Sequence, residues 1–324
     1  MRTELFRVVV TGHSFITMDP EREILEGVAE VIETQPVNDQ ELIEAAQNAD
    51  AILNQNSYYT RSIIEKLQKC RAIVHYGIGT DKVDSVAAAD HGIVVCRIPD
   101  YCVEEVATHT LALLLGFERQ LYFNMHTMKQ GKWLQPEHGS THRLHGRTFG
   151  LLGFGNIARR VAELLQPLNM RIITSDPFID PAVIEKYGVE LVSFEELLSQ
   201  SQYLSLHTML NDKTQGIMNE SAFKRMRNDA VLINASRGGL VVQQDLIWAL
   251  REGLLRGAAL DVYKPEPLEM DSPLLDMDNV LLTPHTAWYS DEAEIVLKRQ
   301  AAQEVLLALT GKPPMNPVNV PVKK

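Results

Sequence analysis

Cysteine is scarce here: Cys70, Cys96 and Cys102 are the only three in 324 residues, and no C-x-x-C spacing occurs. A sparse, odd-numbered set argues against a disulfide framework, and a reduced cytosolic compartment is expected. No apolar run reaches the roughly 18 residues that a membrane-spanning helix needs. Met1-Arg2-Thr3 leads into a strand pattern rather than a signal peptide. Cationic side chains are outnumbered, 31 Lys and Arg against 42 Asp and Glu, for a formal net charge of −11. That balance, with no basic patch, disfavours nucleic acid and acidic membranes as partners. Internal repeats and low-complexity tracts are also missing. What remains is an ordinary globular composition, 45% apolar and 23% charged, on a chain long enough for two domains.

The most informative stretch is residues 149–177. An apolar run (Phe149, Leu151, Leu152) of strand length breaks at Gly153-Phe154-Gly155. A helical pattern follows, with Ile157, Val161, Leu164, Leu165 and Leu168 on one face. A second apolar run, residues 171–174, ends at Asp176, 21 positions beyond Gly155. Strand, glycine turn, helix and strand with a terminal acid form the dinucleotide-binding fingerprint. Gly153 permits the tight turn, and Gly155 lets backbone approach a pyrophosphate without a Cβ in the way. Ala158 is small enough for helix–strand packing. The amides of Asn156 and Ile157, with the helix dipole, suit the phosphates. Asp176 suits the ribose hydroxyls, and Pro177 after it offers no cation for a 2′-phosphate, which favours NAD over NADP.

Strands and helices alternate on both sides of this fingerprint. Strands are expected at residues 7–11, 51–53, 72–75 and 93–96, and again at 203–206, 230–234, 257–262 and 280–282, with helices between. Residues 101–128 read as one long helix, apolar all round at 111–115, and therefore buried on most faces, with burial against a second subunit the favoured explanation. Residues 290–310 read as a closing helix, with Ser290 as its N-cap and Gly311 and Pro313 stopping it. The expected fold is α/β with parallel sheets in two domains. Residues 101–289 form the dinucleotide-binding domain, and 1–100 plus 290–324 form a discontinuous substrate domain, with the active site in the cleft.

In open parallel sheets, ligands bind beyond the carboxyl ends of strands. Four apolar strands here stop in polar residues: His207-Thr208, residues 234–239 with Arg237, Asp261 with Glu266, and Pro284-His285. Seven ordered motifs resemble the D-isomer-specific 2-hydroxyacid dehydrogenases over nearly the whole chain. They are GIGTDKVD (77–84), VATHTLALLL (106–115), GFGNIA (153–158), LSLHT (204–208), INASRGGLV (233–241), DVYKPEP (261–267) and TPHTAWYSDE (283–292). The last, with Trp288-Tyr289-Ser290, looks closest to the C-terminal-binding-protein branch.

The resemblance implies two Rossmann-like or flavodoxin-like domains, NAD as cofactor, and a 2-oxo or D-2-hydroxy acid as substrate. It implies His285 as general acid, Glu266 holding the imidazole and favouring its charged form, and Arg237 gripping the substrate carboxylate. It further implies that the Ile78 and Gly79 amides bind that carboxylate and that Trp288 borders the pocket. On the cofactor side, Asp261 would take the nicotinamide amide and Thr110 a phosphate. His207 and Thr208 would line the adenosine side, with Ala235 and Ser236 also in contact. A homodimer through the 101–128 region is expected. Asn156 stands where an arginine is commoner, and Met209 where a proline often stands. Asn54, Gln55 and Asn56 add no second positive charge. A 3-phosphoglycerate dehydrogenase and an NAD-sensing interaction protein are the rival functions. His138, His142 and His145 cluster near Glu137, but Gly139, Ser140 and Thr141 spoil a helical ligand spacing, so no metal is expected.

Overall fold

Short aliphatic runs buried on both faces build two separate sheets, the pattern of parallel strands covered by helices. A computed structural model describes residues 5–133 and 141–322. His138, with Glu137, Gly139 and Ser140 of the histidine cluster, lies outside the described residues. The chain divides into two units, one of Met1–Tyr101 with Ser290–Lys324 and the other of Cys102–Tyr289.

The first unit begins β1 (Phe6–Thr11), α1 (Asp19–Ile24), β2 (Ala29–Thr34), α2 (Asp39–Ala46) and β3 (Ala51–Asn54). It continues α3 (Arg61–Ile64), β4 (Ala72–His75), α4 (Ser85–Asp90) and β5 (Val94–Cys96). Its five strands are all parallel in the order β2-β1-β3-β4-β5, the flavodoxin-like arrangement. β2 has no counterpart in the sequence expectations. It is an edge strand, so Glu30 and Glu33 stand among its apolar residues and dilute the signal.

The second unit runs α5 (Val103–Glu118), α6 (Leu121–Lys129), β6 (Thr148–Leu152), α7 (Asn156–Leu165), β7 (Arg171–Ser175) and α8 (Pro181–Glu185). Then come β8 (Glu190–Leu191), α9 (Phe194–Gln200), β9 (Tyr203–Leu206), α10 (Glu220–Arg225), β10 (Val231–Asn234), α11 (Gln243–Arg251), β11 (Gly257–Leu260) and β12 (Val280–Leu282). Seven parallel strands lie in the order β12-β11-β10-β9-β6-β7-β8, the doubly wound order extended by one strand. The direction of winding reverses between β6 and β9, and this switch point is where such sheets open a crevice.

The chain then returns to the first unit as α12 (Asp291–Leu309). The Ser290 side chain caps this helix by accepting from the Ala293 amide (3.0 Å). The segment after α12 is laced to the same unit. Buried Glu304 accepts from the Met315 and Asn316 amides, and Asn319 accepts from the Val95 amide (2.8 Å).

The 101–128 region is two helices rather than one. α5 ends at Glu118, Gln120 takes the left-handed conformation (φ 50°), and α6 starts afresh at Leu121. The physical reason lies at Glu118, which is fully buried. Its carboxylate accepts from Arg256 Nη2, from the His142 amide and from Tyr203 Oη (2.6 Å). Those anchors hold the end of α5 against the sheet, so the chain turns there.

Candidate active site

The glycine turn is set by close approach. Gly153 has φ 90°, and a Cβ there would lie 3.0 Å from both the His207 carbonyl oxygen and the Thr208 amide nitrogen. The turn therefore packs directly against the end of β9, at the switch point. At Gly155, its own local backbone and chain neighbours aside, no atom of the described residues lies within 4 Å of where a Cβ would stand. Gly155 caps α7 without any side-chain hydrogen bond, so the leading amides are not capped by its side chain. Asp176 Oδ2 accepts from the Phe154 amide (2.9 Å) and Oδ1 from the Phe178 amide (2.9 Å), which holds the acid beside the turn. Arg159 Nε donates to the Phe154 carbonyl (3.1 Å), a positive charge on the turn that the motif does not announce. Ala158 is fully buried against the sheet, while Asn156 is exposed and Ile157 partly so.

The next strands supply the polar ends. Ser205 Oγ lies 2.8 Å from His207 Nε2, and burial lowers the His207 pKa to about 4, so this imidazole is neutral. Beyond β10, Asn234 accepts from the Ser236 amide and donates to the Arg237 carbonyl, both at 3.0 Å. This side-chain turn carries Ala235, Ser236 and Arg237 past the strand. The Ser236 hydroxyl donates to the Thr208 carbonyl (2.9 Å), tying the ends of β9 and β10. Arg237 is half-buried, and Nη1 donates to the Ser236 carbonyl (2.9 Å).

Beyond β11 and β12, His285 Nδ1 lies 2.8 Å from Glu266 Oε2, while Glu266 Oε1 accepts from the Tyr263 amide (3.0 Å). An ionised carboxylate only accepts, so Nδ1 bears the hydrogen and Nε2 is left for proton exchange. The imidazole is 40% exposed, accessible to a reactant yet held by one partner. His285 has φ 54°, an uncommon conformation for a residue with a Cβ. Its amide donates to the Asp261 carbonyl (2.8 Å), and the Tyr263 hydroxyl donates to the Thr283 carbonyl (2.8 Å).

Asp261 is fully buried. Oδ1 accepts from the Thr283 hydroxyl (2.6 Å) and the Thr286 amide (2.9 Å), and Oδ2 from the Ala287 amide (2.9 Å). In this structure the carboxylate shapes the loop around His285. Thr110 is fully buried, and its hydroxyl turns back to the Val106 carbonyl (2.8 Å). The neighbouring His109 is the residue of α5 that reaches this region, with Nε2 3.1 Å from Thr283 Oγ1. His109, Thr283 and Tyr263 went unnoticed in the sequence because each sits inside a motif whose neighbours drew the assignment. Trp288 packs edge-on against Tyr289 at 5.5 Å. Ile78 and Gly79 belong to the first unit, past the end of β4, where their amides have no backbone acceptor among the described residues. Within the second unit, then, the glycine turn, Asp176, His207, Thr208, Arg237, Glu266 and His285 all lie at the carboxyl edge of one sheet.

Comparison with known proteins bears on the fold and the family. The family model described as D-isomer specific 2-hydroxyacid dehydrogenase, NAD binding domain, matches residues 111–287. A D-3-phosphoglycerate dehydrogenase of Methanocaldococcus jannaschii is 35% identical over 301 residues, covering 92% of this chain and 57% of the relative, so the chain spans little more than half of that protein. A solved structure from Thermus thermophilus is 30% identical with a TM-score of 0.87, covering 97% of this chain and all of the other. A glyoxylate reductase from Paecilomyes thermophila, 26% identical, has a TM-score of 0.89 and covers 98% of this chain and 99% of its own. With the family model matching more than half of its length, this chain belongs to the D-isomer specific 2-hydroxyacid dehydrogenase family.

Proposed function

We propose that the chain is an NAD-dependent oxidoreductase interconverting a small 2-oxo acid and its D-2-hydroxy acid. The observation that carries this reading is the 2.8 Å contact between His285 Nδ1 and Glu266 Oε2, on the sheet that also carries the glycine turn. The residues suit a dinucleotide: open space at Gly155, a helix start whose N-cap residue brings no side-chain acceptor, and Asp176 beside the turn. A nicotinamide dinucleotide held there would supply the hydride donor or acceptor for C2 of the substrate. His285 Nε2 gives a proton to the substrate oxygen in reduction and takes it back in oxidation. Glu266 keeps the hydrogen on Nδ1 and stabilises the imidazolium. Arg237 presents a fork of donors to the carboxylate and draws charge from the carbonyl. In the first unit, the Ile78 and Gly79 amides are donors suited to a carboxylate. Asp261 and Trp288 border the reacting region, and Thr110, Ala235, Ser236, neutral His207 and Thr208 border the cofactor. Asp176 selects NAD over NADP.

A 3-phosphoglycerate substrate is the second reading. It is favoured by the name of the Methanocaldococcus relative and by Lys82, whose Nζ donates to Asn56 Oδ1 (2.7 Å). That contact adds a cation near the ends of β3 and β4. The partner proposed is a second copy of the chain, supported by the exposed apolar side chains of Leu121, Tyr122, Met125 and Met128 on α6.

The test follows NADH absorbance with glyoxylate, hydroxypyruvate, pyruvate, branched and methylthio 2-oxo acids, and 3-phosphohydroxypyruvate. Turnover of at least one is expected. His285→Ala should lower kcat by about 10²–10⁴-fold while NADH still binds. Silence across the panel would overturn the reading in favour of a binding protein.

A further inference from the structure

His109 lies on α5, outside every role assigned above, yet it contacts the loop that presents His285. Its Nε2 is 3.1 Å from Thr283 Oγ1 and 3.7 Å from Asp261 Oδ1. The direction of these bonds follows from the hydrogens available. Thr283 has one hydroxyl hydrogen, and its 2.6 Å contact with Asp261 Oδ1, an acceptor, takes it. The Thr283 oxygen can then only accept from the imidazole, so His109 carries its hydrogen on Nε2. A line of donors thus runs His109 to Thr283 to Asp261.

Asp261 is the hub of the His285 loop. Its side chain is fully buried and holds the Thr286 and Ala287 amides, and its carbonyl holds the His285 amide. His285 sits between these anchors at φ 54°, a conformation that persists only where the surroundings enforce it. A buried carboxylate is costly unless well partnered. His109 brings the Thr283 hydroxyl into register as a partner for it, and its imidazole is 22% exposed, largely withdrawn from water.

We infer that His109 is a positioning residue for the proton donor, acting through Thr283 and Asp261 to hold the His285 loop in its reactive conformation. The inference rests on the reading of His285 as general acid. His109 touches neither substrate nor cofactor in this role. Its loss therefore acts on kcat and not on NADH affinity.

The test compares His109→Leu, His109→Gln and Thr283→Val in the full chain. Glutamine places an amide donor near the position of Nε2, so it should rescue, whereas leucine fills the space without a donor. A displacement of the donor of this kind costs up to about 10²-fold, so a fall in kcat of about tenfold or more is expected for His109→Leu, with NADH dissociation constant and substrate KM within about twofold. His109→Gln should stay within about threefold of wild type. Thr283→Val, which removes only the hydroxyl, should match His109→Leu, and the double variant should be no worse than either, since both break one chain of contacts. Hydrogen exchange at the Thr286 and Ala287 amides should quicken in His109→Leu, a readout that needs no turnover. Wild-type kcat in His109→Leu, additive losses in the double variant, or glutamine as damaging as leucine would each overturn the inference. An inactive wild type with quickened exchange in the variant would instead sink the oxidoreductase reading and leave the loop-holding role standing.

Discussion

Gly153 and Gly155 stand two residues apart and are required for different reasons. Gly153 is needed by the fold: φ 90° is strained for any residue with a Cβ, and the backbone of His207 and Thr208 stands 3.0 Å from where that atom would lie. Gly153→Ala should cost at least about 1–2 kcal/mol from the left-handed backbone alone, and should weaken NADH binding as the turn shifts. A Cβ at Gly155 would meet no distant atom of the described residues, so Gly155→Ala should leave the urea midpoint nearly unchanged and still weaken NADH binding. Paired denaturation curves and NADH titrations check this. Equal destabilisation by both substitutions would contradict the division of roles. Both glycines were legible in the sequence because motif spacing is local, but the distinction between them depends on β9, some fifty residues away.

At the scale of elements, α5 is where sequence and structure part. The sequence reads 111–115 as apolar all round and buried on most faces; Leu113 and Leu114 are buried, but Leu111 and Leu115 are only partly so and Ala112 is exposed, and the end of the helix was not legible. Helix propensity runs on through Arg119 and Gln120, and only the tertiary partners of Glu118 stop it. Burial raises the pKa of that carboxylate, but hydrogen bonds from Arg256, Tyr203 and the His142 amide outweigh burial, and the net shift is downward. A depressed folded-state pKa means stability present above the ordinary carboxylate range and lost as pH falls through the folded value. Glu118→Ala would also remove the carboxylate that pairs with Arg256, and breaking a buried pair typically costs about 3–5 kcal/mol. The expected outcome in urea denaturation is a large loss at pH 7 that narrows toward pH 3. A constant difference across that range would refute an ionised Glu118.

On the scale of the whole molecule, the apolar residues of α6 matter most. Leu121, Met125 and Met128 follow a helical i, i+4, i+7 spacing, and each is at least 50% exposed. If a second copy covers this face, Met125→Asp should shift the molar mass measured by light scattering from dimer to monomer, with little effect on the thermal midpoint of the monomer. A wild-type monomer at micromolar concentration would remove the dimer from consideration. The sequence reading already groups α12, within residues 290–324, with residues 1–100 in one discontinuous domain. The helix's burial of Lys298 and Glu304 among residues of the first unit is a property of the folded chain.

The sequence by itself determined which chemistry is available and roughly where most strands end. A strand's apolar run, a glycine turn and a polar residue after each strand are all readable within a few positions. It also established the order of the motifs, which is what marked the family. Only the tertiary structure decided which side chains converge. His109 and Thr110 are neighbours in one motif, yet adjacent residues on a helix point about 100° apart. One therefore turns into the helix's own backbone, and the other reaches Thr283, 174 positions later in the chain. The edge strands β2 and β8 likewise escaped the pattern, because the half-exposed β2 and the exposed two-residue β8 need less apolar sequence. Packing between distant segments sets such contacts, and no local period encodes it.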